Sequence, residues 1–318
     1  MTAVLPSSDL DRGAPRWMTW VPRLAVVWAA AYGCVRLWFA LGHEPTWKLP
    51  TGDLLVPGWV SVIACVVSAI VVLIPARTRA LTVTTYAMAL GWTAACALAL
   101  LDVVAGILPG LGIPFDLSGM LSRFGGLTGA ALLAGTALSQ QRQLDRSCPR
   151  CGHRRRTPTS TPKWAIAAAW LAVAGCATRL AAQAAIGFDA APSGAGLQMI
   201  LFEAGFVLAG VALPLLLVYR PGRVFPRWML LLPGGGLGIG ISAYFGVGLI
   251  QMTVAALQGK PVYADIGIPT SFFWVAVPAY LLWGLGLAVA TYGYAQRTRK
   301  PCTCQRVREP SAGRPLDS

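Results

Sequence analysis

Charge is scarce in this chain. Only 12% of its 318 residues are Asp, Glu, Lys or Arg, against about 25% in a soluble domain. Carboxylates are the rarer sign, 12 against 26 Lys and Arg. No Walker phosphate loop, Rossmann glycine pattern or His-Glu-x-x-His occurs. These absences argue against ATP hydrolysis, dinucleotide chemistry and zincin proteolysis. Period-two alternation is also missing, and the apolar runs are too long to be the strands of a membrane barrel. No compact charged region, apolar stretch and small-residue cleavage site stands apart at the N-terminus. Residues 1–16 read as a polar, proline-containing arm. The run that follows is long enough to span a membrane and is expected to be retained.

Apolar residues fill the space that charge leaves: 56% of the chain, with a mean hydropathy of +0.61. A crossing helix needs about 20 mainly apolar residues. Eight segments qualify, at 20–41, 54–75, 80–108, 117–138, 164–187, 197–219, 228–257 and 272–295. The fold class expected is therefore an all-α, polytopic membrane bundle of eight helices. Twenty-one of the 26 basic residues fall in five places: the N-terminal arm, the linker at 77–79, the linker at 142–163, the linker at 220–227 and the tail from 297. Lys and Arg concentrate in cytoplasmic loops. The chain is thus expected to cross the plasma membrane with both termini cytoplasmic. Lys48 and Lys260 are left outside, with Glu44, Asp53, Asp116, Asp189 and Asp265. The net charge of +14 sits at span ends, where it meets anionic headgroups. The bilayer is then the partner it implies, and nucleic acid is not.

The spans divide into two similar sets of four. Gly33-Cys34-Val35-Arg36-Leu37 in span one matches Gly175-Cys176-Ala177-Thr178-Arg179-Leu180 in span five. Leu100-Leu101-Asp102 matches Leu249-Ile250-Gln251, and Gly112-Ile113-Pro114 matches Gly267-Ile268-Pro269. Each set ends in Gln-Arg and a cysteine pair. An even number of spans gives both copies one orientation, a 4+4 parallel repeat; chance matching in a biased composition is the alternative. The organisation expected is an arm (1–19), a first repeat (20–139), a basic linker with Cys-x-x-Cys (140–163), a second repeat (164–295) and a basic tail with Cys-x-Cys (296–318).

Five charges interrupt the spans: Arg36, Asp102, Arg123, Arg179 and Glu203. At 1.5 Å per residue all five fall in the outer third of the bilayer. An Arg or Asp at the centre of a span costs about 2.5–3.5 kcal/mol on an insertion scale. Long arginines near span ends also snorkel to the headgroups. Five charges of both signs at one depth suggest a paired cluster, with Arg179 on Glu203 and Asp102 serving Arg36 or Arg123. Gln251 stands at the position matching Asp102. Such a cluster ties helices together or lines an outward pocket. Three Arg against two carboxylates leaves a positive charge over, which favours an anionic group such as a lipid phosphate. His43 with Glu44 and Trp47 is a lone loop histidine and argues little for catalysis.

Gly125 and Gly129, and Gly234 and Gly238, have the spacing that lets helices approach closely. Pro233 and Pro278 allow kinks. Cys148-Pro149-Arg150-Cys151-Gly152-His153 is the most specific local pattern, two thiolates turned toward one metal. With Cys302 and Cys304 on the same side of the membrane, four thiolates suffice for one zinc, His153 being an alternative ligand. A redox Cys-x-x-Cys and a pair without special role are the other readings. Cys34, Cys65, Cys96 and Cys176 lie in apolar spans, where cysteine behaves as a small core residue.

Two stretches carry a resemblance. Tyr32-Gly33-Cys34-Val35-Arg36-Leu37-Trp38-Phe39-Ala40-Leu41-Gly42 resembles the first-span motif of uncharacterised multi-pass membrane proteins of actinobacteria. Pro226-Arg227-Trp228 with Leu230-Leu231-Leu232-Pro233 resembles their Pro-Arg-Trp span start. The usual aromatic-Trp-Ala-Gly-Gly ending is replaced here, and the cysteine pairs are not part of that pattern. The resemblance implies the membrane class and marks Arg36 as a motif residue; it implies no substrate. The function expected is binding or transport of a small or lipid-like molecule at an outer-leaflet polar site. The alternative is a structural or regulatory component that docks a cytoplasmic protein partner through its Cys/Arg-rich linker and tail.

Overall fold

The computed structural model describes residues 15–49, 52–75, 78–107, 114–145, 160–186, 196–219, 224–260 and 269–298. Among them there is no strand. The helices are α1 (Trp17–Ala40), α2 (Gly58–Leu73), α3 (Arg79–Ala95), α4 (Ala99–Ile107), α5 (Leu117–Leu144), α6 (Lys163–Ile186), α7, α8 (Arg227–Leu257) and α9 (Thr270–Arg297). Helix α7 runs as Gly196–Val207, a π-helical turn at Leu208–Ala212, and Leu213–Val218. Five helices are long and apolar enough to cross a membrane: α1, α6, Ile200–Val218 of α7, α8 and α9. The bent α3–α4 pair makes a sixth if it counts as one span. Large apolar side chains such as Val27, Leu90, Ile200, Leu232 and Leu257 point outward. All of this fits a membrane-embedded protein.

Three expected spans depart from plain helices, each for a local reason. The span expected at 54–75 is helical only over Gly58–Leu73, 16 residues. Pro57 holds an extended backbone (φ −57°, ψ 149°) ahead of it, and residues 53–56 run into the bundle without helix. The span expected at 80–108 breaks into α3 and α4, bent by 46°. Thr78 caps the start of α3, its hydroxyl accepting from the Leu81 amide at 3.2 Å. Neither Gly nor Pro marks the break at residues 96–98. There the carbonyl of Ala95 accepts from the Leu55 amide at 3.0 Å. A backbone group from another segment has entered the helical ladder, an established cause of kinks. In α7 the disturbance is Pro214, which has no N–H to return to the preceding turn. The chain widens instead, and the Leu213 amide reaches back five residues to Leu208. Non-helical backbone at membrane depth is tolerated when it is buried in protein, and Leu54 and Asp53 are buried.

In the first half α1 packs on α2 and α5, and α3 packs on α5. In the second half α6 packs on α7 and α9, and α8 packs on α9. The halves meet where α8 lies against α3 and α4, with Leu100 reaching into the second-half core. Glycines set the approach differently on the two sides. A Cβ on Gly125, Gly126 or Gly129 would strike side chains: Tyr32, Cys96 and Trp28. A Cβ on Gly238 would lie 2.7 Å from the Ala288 backbone nitrogen, and one on Gly175 2.7 Å from that of Trp283. Helices of the first half are thus spaced by aromatic rings, with Trp28, Tyr32 and Trp92 clustered at centroid distances of 5.4–5.7 Å. At Gly175 and Gly238 the helices of the second half meet backbone to backbone, whereas Gly210 and Gly234 face the Cys176 and Thr291 side chains.

Candidate functional site

The charges collect at the end of the bundle where α1 finishes and α5 begins. Arg36 is one turn from the end of α1 and buried. Its Nη1 is paired with Asp53, and its Nε donates to Ser61 Oγ of α2 at 2.7 Å. Ser122 of α5 donates to the same Asp53 carboxylate at 2.6 Å, and Tyr32 donates to the Ser122 carbonyl at 2.8 Å. The next residue of α5, Arg123, makes the second pair. Arg123 Nη1 reaches both oxygens of Asp102, at 2.6 and 2.8 Å. Its Nε and Nη2 donate to the backbone carbonyls of Asp53 and Gly52 at 2.6 and 3.0 Å. Side-chain exposure is 2% and 9% for Arg36 and Asp53, and 0% and 2% for Arg123 and Asp102. This network is sealed. The segment 52–56 holds it shut, because its carboxylate and two of its carbonyls satisfy two arginines from different helices.

Asp116 closes the same end just ahead of α5. Its carboxylate accepts from the Lys48 amide at 3.2 Å and from Ser118 Oγ at 3.0 Å, and Lys48 Nζ donates to the Phe115 carbonyl at 2.8 Å. Burial alone would raise the pKa of this carboxyl. The amides of Gly119 and Lys48, the Ser118 hydroxyl and the Arg123 charge outweigh burial and hold it below its ordinary value.

The second-half pair is built differently. Arg179 Nη1 lies 3.1 and 3.3 Å from the two Glu203 oxygens, and Nε donates to Tyr280 Oη at 2.9 Å. The guanidinium rests 4.5 Å above the Phe206 ring and 5.7 Å from that of Tyr280. The Phe206 contact is a closer cation–π contact than the 5.6 Å one between Arg36 and Phe39. Tyr280 in turn stacks on Phe245 at 3.9 Å, and Phe206 meets Trp283 at 4.4 Å with the rings inclined by 59°. The Trp283 indole N–H is buried without a partner among the described residues; the ring abuts Gly210 in the π-helical turn. Glu203 is 23% exposed and Arg179 7%, so the carboxylate is the more open member. It borders an open groove of about 740 Å³ on one face of α7, lined otherwise by apolar residues from Ile200 to Ala212.

Of the residues singled out from sequence, Arg36, Asp102, Arg123, Arg179 and Glu203 all stand in ion pairs. Asp102 serves Arg123, not Arg36. The partner of Arg36 is Asp53, expected in an outer loop but buried in the bundle. With Asp53 counted, three arginines face three carboxylates, and the surplus positive charge expected from sequence is gone. Gln251 is exposed on α8, apart from the pairs. Helix α8 runs unbroken where α3–α4 bends, so position 251 is not turned inward as Asp102 is. His43 stacks on Trp38 at 3.8 Å and joins no pair. Cys148, Cys151, His153, Cys302 and Cys304 lie outside the described residues. Among the described ones no group of three His, Cys, Asp or Glu is placed to hold a metal. Cys65, Cys96 and Cys176 are buried in the packing and Cys34 is exposed. No protein-family model, no curated protein and no solved structure matches the chain.

Proposed function

We propose that this is an integral membrane protein that binds or moves a small, lipid-like molecule through a polar site in the outer leaflet. The observation that carries the reading is the Arg179–Glu203 pair bordering an apolar groove on α7. Ligand sites combine apolar walls with a few placed polar groups and occupy about 300–1,000 Å³. Charges kept inside a membrane protein are costly and usually serve a pathway or a ligand. In this reading α2 and α5 join the other spans to make eight, as two parallel copies of four. The helix partners, alike in the two halves, support that duplication. The sorting of Lys and Arg supports cytoplasmic termini and a plasma-membrane location. The first-span resemblance agrees with the membrane class.

Native mass spectrometry of the purified protein tests the function. Wild type is expected to retain a lipid-like molecule through detergent exchange, and Leu208→Trp, which fills the groove, to lose it. Equal retention would remove the groove from the reading. For the orientation, a cysteine near Lys48 in an otherwise Cys-free variant is expected to react with an impermeant thiol reagent in intact cells, and one near Arg154 to stay protected.

A second reading rests on the cysteine spacing. Cys148, Cys151, Cys302 and Cys304 would share one zinc and clip the cytoplasmic linker to the tail, forming a surface for a protein partner. Elemental analysis is expected to find about one zinc per chain, at four thiolates to a metal, and none in Cys302→Ser/Cys304→Ser. Metal-free wild type would leave the pairs as a redox couple or as residues without special role.

A further inference from the structure

We infer that the first segment of α7, Gly196–Val207, is a gate that swings about the π-helical turn at Leu208–Ala212 and is held shut by the Arg179–Glu203 pair and the Phe206 ring. The inference stands whether or not the groove on α7 holds a ligand.

The two segments of α7 are held unequally. In Leu213–Val218 the side chains of Leu213, Pro214, Leu217 and Val218 are buried, and α6, α8 and α9 all pack on this segment. The π turn itself packs on α6, where Gly210 faces the Cys176 side chain. Between Ile200 and Val207 only Phe206 is buried, and Ile200, Leu201 and Val207 point outward. Among the described residues, the polar hold of this segment on the bundle is the Glu203 carboxylate on Arg179. Its apolar hold is Phe202 and Phe206. A segment with few buried contacts opens before its better packed neighbours.

The joint between the segments suits a hinge. Pro214 has no N–H to bond across it, and the Leu213 amide spans it over five residues to Leu208. Ala209, Gly210 and Ala212 are small, and hinges are a few element-terminal positions that absorb changes in φ and ψ. The latch suits release. When the carboxylate leaves, Arg179 keeps its Nε bond to Tyr280 on α9, at 2.9 Å. Arg179 stands seven residues before the end of α6, about 10 Å, and an uncovered guanidinium at that height reaches headgroups and water. The closed state also carries a cost. The Trp283 indole N–H is buried beside Gly210 without a partner among the described residues, and an unpaired buried donor disfavours the state that buries it. Opening uncovers the Arg179 guanidinium and the Tyr280 hydroxyl as a polar site between α6 and α9.

The test places spin labels in pairs on the full chain in nanodiscs. Cys34, Cys148, Cys151, Cys302 and Cys304 are changed to Ser, while Cys65, Cys96 and Cys176, which are buried, stay. One pair joins the gate to α8, Leu201→Cys with Ile250→Cys. The other joins the end of the second segment to α8, Tyr219→Cys with Trp228→Cys. All four positions are exposed. Double electron–electron resonance is expected to give the gate pair a main distance and a longer minor one, and the second pair a single distance. Glu203→Gln is expected to raise the ratio of longer to main distance about tenfold or more, through loss of a charged hydrogen bond. Phe206→Leu leaves the ion pair in place and loosens the other part of the latch, so it should raise the ratio as well. Pro214→Ala returns an N–H to the joint and is expected to lower it. A single gate-pair distance that neither Glu203→Gln nor Phe206→Leu shifts overturns the inference. So does a second pair that broadens together with the gate pair, because α7 would then move as a whole.

Discussion

Arg36 and Arg179 occupy matching places near the ends of α1 and α6, yet their surroundings differ in how polar and how closed they are. Around Arg36 the hydrogen-bond partners are Asp53, Ser61 and Ser122, with the Phe39 ring 5.6 Å away. Around Arg179 the partners are a carboxylate, a phenol and two aromatic faces. The first arrangement holds the guanidinium by hydrogen bonds to three different segments and leaves both members of the ion pair buried. The second holds the cation from beneath and leaves its carboxylate facing outward. Helix spacing differs as well: side chains fill the glycine contacts of α5, while at Gly175 and Gly238 of the second half the backbone does. A buried ion pair that is fully satisfied works as a fastener. One left partly open, on a helix already widened by a π turn, has the features of a site, since such turns are frequent where function resides.

The largest effect should come from breaking the sealed side. Asp102→Asn leaves Arg123 buried with its charge uncompensated, a loss of about 3–5 kcal/mol. Thermal melts in detergent should show a steep fall or no folded protein. Arg123→Met with Asp102→Leu should recover much of the loss, because replacing both charges removes the uncompensated one. A melting point for Asp102→Asn within a degree or two of wild type would mean that the first half is no more sealed than the second.

Helix spacing gives the next effect. Ala at Gly238 drives a methyl into the Ala288 backbone, and over-packing of this kind costs about 1–3 kcal/mol. Ala at Gly126 meets the Cys96 side chain instead. Cys96→Ala should therefore rescue Gly126→Ala, while truncating a side chain opposite Gly238 should rescue nothing. Rescue on both sides, or on neither, would erase the distinction between the side-chain contact at Gly126 and the backbone contact at Gly238.

Much of this comparison was legible from residue types and spacing alone. The apolar runs anticipate an all-helical chain with several helices long and apolar enough to cross a membrane, and charge counting at helical rise brings Arg179 and Glu203 to one level. The glycine pairs mark real contacts because small residues are the only ones that fit there. Asp53 was not legible. A carboxylate after Thr51-Gly52 in a connection looks solvated, and only the inward path of residues 52–56 reveals otherwise. That path depends on the Ala95 carbonyl being free, and Ala94-Ala95-Cys96-Ala97 carries no breaker to announce it. The missed residue reverses an inference about charge, from surplus positive to balanced. The aromatic bed of Arg179 was hidden for another reason. Phe206, Tyr280 and Trp283 are ordinary span residues until three helices bring them together.

On the open side the same kind of substitution should cost less. Glu203→Gln keeps the shape and the Tyr280 and Phe206 contacts of Arg179, and its carboxylate is partly exposed, so a loss of about 1–2 kcal/mol is expected. Glu44→Gln, on an exposed loop, should stay within about 0.5 kcal/mol. Melting points ordered wild type, Glu44→Gln, Glu203→Gln, Asp102→Asn would support the contrast. Equal melts for Glu44→Gln and Glu203→Gln would remove the second pair as a structural element.

The smallest effect concerns the cap over the sealed end and is visible only in acid. Asp116 has its carboxyl held below the ordinary value of 3.8 in the folded protein. A depressed pKa means that the folded state binds its proton less readily than the unfolded state. The resulting stability is complete above the unfolded value and is lost as pH falls through the folded one. Above about pH 5 wild type should therefore be more stable than Asp116→Asn by a margin that does not change with pH. Below 3.8 that margin should shrink, since protonation weakens the contacts from Lys48, Ser118 and the start of α5. Melting curves of the two proteins in detergent between pH 6 and pH 3 would measure it. A margin that persists to pH 3, or that widens in acid, would mean that the carboxylate charge does not hold this end closed and that shape alone does so.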